Sequence, residues 1–193
     1  MDARTVDIYD RDASTFANDW HGQPAPDDMY HLAQKYFRAG RTADIGCGSG
    51  RDTAWLNKNG FPTVGYDASE GLIAEARRRY PDIEFHNRTL PDLAGVASNS
   101  FANVLCETVI MHLPREDVVP SIRKLVSLLV PGGTLYLSWR VHEHDTRDSA
   151  RRLYLAIDPT TIIENLSPAV VVLDEQVTSA SSGNILHRII ARK

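Results

Sequence analysis

Apolar positions change their period several times along the chain, and each change marks an element. Between Asp27 and Phe37 they fall at Met29, Leu32, Ala33, Tyr36 and Phe37, a helical spacing that stops at Gly40. Short apolar runs then alternate with helical ones. Ala43 to Gly46 predicts a short strand, Asp52 to Asn59 a helix stopped by Gly60, and Thr63 to Asp67 a second strand. Leu72, Ile73, Ala76 and Tyr80 mark a helix capped by Ser69, and Ile83 to His86 predicts a third strand. Phe101 to Glu107 is a fourth strand, Glu116 to Val130 a helix closed by Pro131-Gly132-Gly133, and Thr134 to Trp139 a fifth strand. Strands alternating with helices imply right-handed crossovers and an α/β fold with a mostly parallel sheet, helices on both faces. The tail breaks this rhythm. Ala169 to Val177 and Ile185 to Ala191 are β-rich and joined by a Ser/Gly-rich loop too short for a crossover helix, which predicts an antiparallel hairpin at the sheet edge.

The composition narrows the partners. With 193 residues, 42% hydrophobic and 24% charged, the chain has the makings of one well-buried domain. Lys plus Arg number 21 against 25 Asp plus Glu, a net charge of -4, so no overall attraction to a phosphate backbone is expected and nucleic acid is disfavoured as a partner. The opening Met1-Asp2-Ala3-Arg4 leads into polar residues, and no apolar run approaches bilayer length, which predicts a cytoplasmic protein that engages no membrane. Two cysteines, Cys47 and Cys106, build no disulfide framework. His142 and His144, beside Glu143 and Asp145, lack the further histidine or cysteine cluster that would complete a metal shell, so no metal is expected.

The chemistry is concentrated between Asp44 and Leu56. Asp44-Ile45-Gly46-Cys47-Gly48-Ser49-Gly50 reads as a strand end followed by a turn with glycines at alternate positions, and Arg51 to Leu56 opens a helix; α/β sheets receive nucleotide-like ligands at such turns. A nicotinamide or flavin oxidoreductase would need glycine or alanine at position 51. Arg51 stands there, a side chain too long for close helix packing around a pyrophosphate, and the terminal hairpin leaves no second mononucleotide-binding half.

On these residues the chain resembles the class I S-adenosylmethionine-dependent methyltransferases. The resemblance covers Tyr9 to Trp139 by motif: Asp44 with the glycine turn, Asp67 ending the second strand in Gly65-Tyr66-Asp67-Ala68-Ser69, Leu90-Pro91 after the third, the fourth-strand run Phe101 to Pro114, and Pro131-Gly132-Gly133 before the fifth. It implies a Rossmann-like sheet ending in a C-terminal hairpin, with S-adenosylmethionine as methyl donor and S-adenosylhomocysteine as product. The implied cofactor residues are Asp44, Gly46, Cys47, Gly48, Ser49, Gly50, Asp67, Ala68, Leu72, Thr89, Leu90, Cys106 and Glu107. Amides of the glycine turn would meet the methionyl carboxylate, favoured by the helix dipole. Asp67 would accept from two ribose hydroxyls, Leu72 would touch adenine, Thr89 and Leu90 would meet the base edge, and Asp44 would bond turn amides or the ammonium group.

Methyl transfer is an in-line displacement, so the acceptor must be held opposite the sulfur with water excluded. Tyr9, His112 and Glu107 are the candidate catalytic residues; Trp20, Arg140, His142, His144, Arg147 and Arg151 are the candidate acceptor contacts, and their cations would suit an anionic acceptor. As a lid the Tyr9 to His21 segment would exclude water; a helix simply packed on the sheet, a packed histidine and a solvated arginine face are the structural alternatives for the same residues. The expected organisation is one domain: residues 1–40 a helical lid, 41–140 the cofactor core, 141–168 an acceptor-side connection and 169–193 the hairpin. A small-molecule methyltransferase, as monomer or homodimer, is the first reading. The rival from another class is a catalytically silent subunit that keeps the cofactor pocket.

Overall fold

Asp2 opens the first element: its carboxylate accepts from the Thr5 amide at 2.9 Å and the Thr5 hydroxyl at 2.7 Å, capping helix α1 (Ala3–Arg11). Helices α2 (Ala13–Gly22) and α3 (Asp27–Tyr36) follow in this computed structural model, which describes all 193 residues. The alternating part then runs β1 (Thr42–Ile45), α4 (Arg51–Lys58), β2 (Thr63–Asp67), α5 (Glu70–Arg79), β3 (Phe85–Asn87), β4 (Phe101–Cys106), a 3-10 turn at Ile110–His112, α6 (Arg115–Leu128) and β5 (Leu129–Arg140). Two short strands, β6 (Thr146–Arg147) and β7 (Leu153–Tyr154), precede α7 (Pro159–Glu164), and β8 (Val170–Thr178) and β9 (Ile185–Arg192) close the chain.

Seven strands form one sheet in the order β3-β2-β1-β4-β5-β9-β8. The first five are parallel neighbours, while β9 runs antiparallel to both β5 and β8, so the tail is the expected edge hairpin. Every residue of β1 is buried, as a parallel strand covered on both faces requires. Alternation sorts the side chains of β4 and β5. Val104, Leu135 and Leu137 join α6 residues Ile122 and Leu125 in the larger core, whereas Leu105 and Tyr136 pack with Met29, Leu32 and Ala33 of α3 on the other face.

Most boundaries fall within a residue of the sequence pattern, and the larger departures are at the third strand and at the passage from α6 to β5. The third strand begins at Phe85, two residues late, because the Ile83 amide closes a turn onto the Tyr80 carbonyl at 3.1 Å. Helix α6 stops at Leu128, and Leu129 enters β5 opposite Phe101. Pro131-Gly132-Gly133 therefore lies inside a strand irregularity and does not close the helix: the register shifts between Phe101 and Asn103, and Gly132 has φ +74°. Leu128 and Leu129 are both wholly buried, and burial of the pair decides where helix yields to strand.

Leu125→Ala, on the buried face of α6, is expected to destabilise the fold by about 2–5 kcal/mol, while Val172→Ala on the edge strand, 45% exposed, should cost less than about 1 kcal/mol. Urea denaturation of the two variants measures both.

Candidate functional site

The carboxyl ends of β1, β2, β4 and β5 open into one cavity, as expected of an α/β sheet beside the point where strand order reverses. Its floor is the glycine turn. The Gly46 and Cys47 amides both donate to the Tyr66 carbonyl, at 2.7 and 3.0 Å, pinning the turn to β2. Gly46 has φ +79° and Gly48 φ +53°, which side chains rarely adopt; a Cβ at Gly46 would collide with Val109, and one at Gly48 would lie 2.9 Å from the Trp20 ring. Gly50 does a different job: Phe85 and Tyr80 fill the space where its Cβ would be, so it serves helix packing and does not line the cavity.

One end of the cavity is acidic. Asp67 accepts the Gly48 amide on one oxygen at 2.9 Å and the Ser69 amide on the other at 2.8 Å. Each oxygen keeps a further lone pair for a donor. The helix cap here belongs to others: Ser69 Oγ accepts the Leu72 amide at 3.1 Å and donates to Asp10 at 2.6 Å, and Asp10 also accepts the Gly71 amide at 2.9 Å. Asp44 bonds no turn amide; it accepts the Thr53 hydroxyl at 2.6 Å. Burial, with Asp52, Asp67 and Glu107 adding repulsion against the Thr53 bond, pushes Asp44 up to about 8. Burial likewise raises Glu107 to about 7 although it accepts the Ser138 hydroxyl at 2.5 Å. Asp52 takes the Tyr30 hydroxyl at 2.7 Å and Arg51 Nε at 3.0 Å, and Arg51 reaches the Trp20 carbonyl at 2.9 Å. Ser49 Oγ is buried with no partner.

The amino-terminal helices and Arg152 add an aromatic and cationic cluster. Tyr9 meets Phe16 edge to face at 4.9 Å and Phe16 stacks on Trp20 at 5.6 Å, and the Arg152 guanidinium lies 5.3 Å from the Tyr9 ring centre and 5.0 Å from that of Phe16. His112 Nδ1 faces the Leu153 carbonyl at 2.5 Å, so the proton belongs on Nδ1. Nε2 then accepts the Tyr9 hydroxyl at 3.2 Å, and the Tyr9 oxygen accepts Arg152 Nη1 at 3.1 Å. Burial lowers His112 to about 4 and raises Tyr9 to about 12, so the imidazole is neutral and the phenol protonated near pH 7.

Of the residues singled out from the sequence, Asp44, Gly46, Cys47, Gly48, Ser49, Asp67, Ala68, Leu72, Glu107, Tyr9, His112, Trp20 and Arg140 line this cavity. The others stand elsewhere. Cys106 is wholly buried in the sheet core, one residue before the strand end that presents Glu107. Thr89 is exposed, and Leu90 is buried in the core with its carbonyl accepting the Met1 nitrogen at 3.1 Å. His142 and Arg147 line a neighbouring recess, His144 is exposed, and Arg151 turns outward at φ +75°. That turn delivers Arg152 to the cavity in its place. Arg152 belongs to the same arginine run of the connection as Arg147 and Arg151. The hairpin residues Ser179, Ser181 and Ser182, and Asp10, which bonds Ser69 beside the cavity, carry no local signal, because tertiary packing alone brings them here; Arg51 and Asp52 follow the glycine turn directly and were detectable by that adjacency.

Raised carboxyl groups set a pH dependence. Between the ordinary value of 3.8 and about 8, the folded protein holds a proton on Asp44 that the unfolded chain has released, so stability without ligand falls as pH rises. Glu107 acts alike up to about 7, and His112 acts oppositely only below 6.5. Asp44→Asn keeps an acceptor for Thr53, and its stability advantage over the wild type is expected to grow from pH 6.5 to about 8 in urea denaturation; a flat difference would mean an ordinary Asp44.

Comparison with known proteins finds a matching domain and several similar chains. A family model described as a methyltransferase domain matches residues 43–133. The trans-aconitate 2-methyltransferase of Variovorax paradoxus (strain S110) is 38% identical over 106 residues, covering 50% of this chain and 37% of that one. The ubiquinone biosynthesis O-methyltransferase of Xanthomonas campestris pv. campestris (strain B100) is 28% identical over 139 residues, 65% of this chain, and the chain spans 57% of the length of that relative. In fold, the chain is similar to the Burkholderia thailandensis 1,6-didemethyltoxoflavin-N1-methyltransferase, solved with 1,6-didemethyltoxoflavin and S-adenosylhomocysteine, at a TM-score of 0.76 and 20% identity over 99% of this chain and 88% of that one. With the glycine turn, Asp67 and the sheet order already in place, these matches show a methyltransferase domain over residues 43–133 and a fold similar to that of a methyltransferase solved with S-adenosylhomocysteine.

Proposed function

We propose that the chain binds S-adenosylmethionine across the glycine turn and transfers its methyl group to a small-molecule acceptor. The observation that carries this reading is the acidic end of the cavity, where Asp44, Asp52, Asp67 and Glu107 gather around the turn with Arg51 as the one cation among them. Such a site favours a ligand with positive charge. The residues fit this cofactor in other respects: Asp67 keeps lone pairs for two ribose hydroxyls, Ser49 Oγ is an unpartnered polar atom at the turn, and Leu72 and Ala68 offer apolar contact to adenine.

When bound, S-adenosylmethionine supplies a methyl group activated by its positively charged sulfur. The chain supplies orientation and dryness, which together are worth several kcal/mol of barrier, on the order of 7–11 in the best-oriented systems. Residues 1–40 form the lid, with Tyr9, Phe16 and Trp20 excluding water; 41–140 form the cofactor core, 141–168 the acceptor-side wall, and 169–193 the hairpin whose loop serines complete the rim. Tyr9 remains a donor and His112 a neutral acceptor, so the pair positions an acceptor atom and holds a proton in place. A group with His112's lowered pKa is a weak general base. The site therefore suits an acceptor that already exposes a lone pair at neutral pH.

Asp67→Ala is expected to weaken S-adenosylmethionine and S-adenosylhomocysteine binding about 100-fold, the loss of two charge-assisted hydrogen bonds. Calorimetry with NADH as control checks this, and equal affinities in variant and wild type would refute the cofactor reading. Because the sulfonium charge favours ionised Asp44 and Glu107, affinity for S-adenosylmethionine relative to S-adenosylhomocysteine should rise between about pH 6 and about pH 8. A constant ratio would show that these carboxyls do not sense the ligand's charge.

A further inference from the structure

Beside the main cavity lies a second recess, sharing Arg140 and Arg152 with it and lined also by His142, Arg147, Asp148 and Tyr154. Its charges do not cancel. Arg147 is held by Asp2 at 2.8 Å and Arg152 by Asp148 at 2.7 Å, but Arg140 has no carboxylate within ion-pair distance. Its contacts are the Tyr154 ring, 5.6 Å from centre to guanidinium, and the Tyr154 hydroxyl at 3.5 Å, the outer limit of a hydrogen bond. Two polar atoms in this one recess, Arg140 Nε and His142 Nε2, are buried with no hydrogen-bond partner. Buried donors on a charged group are ordinarily satisfied, and an orphan pair at the edge of a ligand cavity marks a place where a ligand completes the set.

We infer that the methyl acceptor is a small organic acid whose carboxylate is bound in this recess by Arg140, with His142 at its side. The inference rests on the methyl-transfer reading and deepens it. A guanidinium presents a planar fork that matches a carboxylate edge, and Arg140 has that fork free of any protein carboxylate. The placement of the arginines agrees. Arg140 and Arg152, which line both the recess and the main cavity, attract an anion to the part of the cavity they share. Arg140 ends β5 and also faces the main cavity, so a carboxylate anchored there leaves the rest of a small acceptor beside Tyr9 and His112.

The test titrates citrate, succinate and benzoate, with succinamide, benzamide and inorganic phosphate as comparisons, into protein saturated with S-adenosylhomocysteine, followed by calorimetry. At least one carboxylate is expected to bind while the amides do not, and Arg140→Gln should weaken it at least about tenfold, the scale of one charge-assisted bidentate contact. Arg123→Gln removes the same charge from an exposed site on α6, where Arg123 meets only Asn165, and should leave carboxylate binding unchanged. S-adenosylhomocysteine affinity in each variant reports folding; should Arg140→Gln lose it, Arg140→Lys, which keeps the charge and loses the fork, and His142→Ala take its place. No carboxylate binding, equal binding in wild type and the position-140 variant, or preference for phosphate overturns the inference. Failure of the wild type to bind S-adenosylhomocysteine at all would instead sink the cofactor reading on which it rests.

Discussion

The Gly48 amide and the Asp67 carboxylate meet at 2.9 Å across a separation of 19 residues, and the remainder of the site is arranged around that bond. It exists because β1 and β2 are parallel neighbours in register, Asp44 opposite Gly65 and Ile45 opposite Tyr66, so their carboxyl ends stop side by side. The Tyr66 carbonyl then anchors the Gly46 and Cys47 amides, and the turn leaves at positive φ without a side chain to obstruct it. A slip of this register would separate turn from carboxylate and remove both the floor and the acidic end of the cavity.

Around this fixed point charges of both signs gather. Four carboxyl groups surround the turn, two of them raised by burial to about 7 and about 8, and Arg140 and Arg152 line the same cavity. The folded protein bears an electrostatic cost at these buried carboxyls. Groups strained in this way recur where a ligand relieves them, since the fold alone offers simpler packing.

The amino-terminal helices tie these groups together. Asp10 caps α5 through Ser69 and Gly71, Trp20 lies over Gly48, and Tyr9 links His112 to Arg152. Arg51, directly after the glycine turn, bonds the Trp20 carbonyl and so ties this cover to the cofactor floor. Tyr9 is thus a structural contact of three elements as well as a cavity residue, which is why a local reading of its helix describes it incompletely.

The sequence by itself determined the alternation of strands and helices and the edge hairpin, because period-two and period-3.6 runs, glycine stops and the short Ser/Gly connection are local signals; the strand order β3-β2-β1-β4-β5-β9-β8 came from the tertiary structure. The glycine turn and Asp67 were determined by the sequence as well, since backbone geometry at positive φ and a strand-end carboxylate are local properties. Tertiary structure decided what depends on side-chain direction across long separations. It stopped α6 at Leu128 by burying Leu129 in β5, gave Asp44 to Thr53, sent Thr89, Leu90 and Cys106 away from the cavity, and exchanged Arg151 for Arg152 through one residue at φ +75°. A period-based reading cannot choose between adjacent arginines in an irregular connection; only the packing of Tyr9, Phe16 and Tyr154 around a guanidinium does.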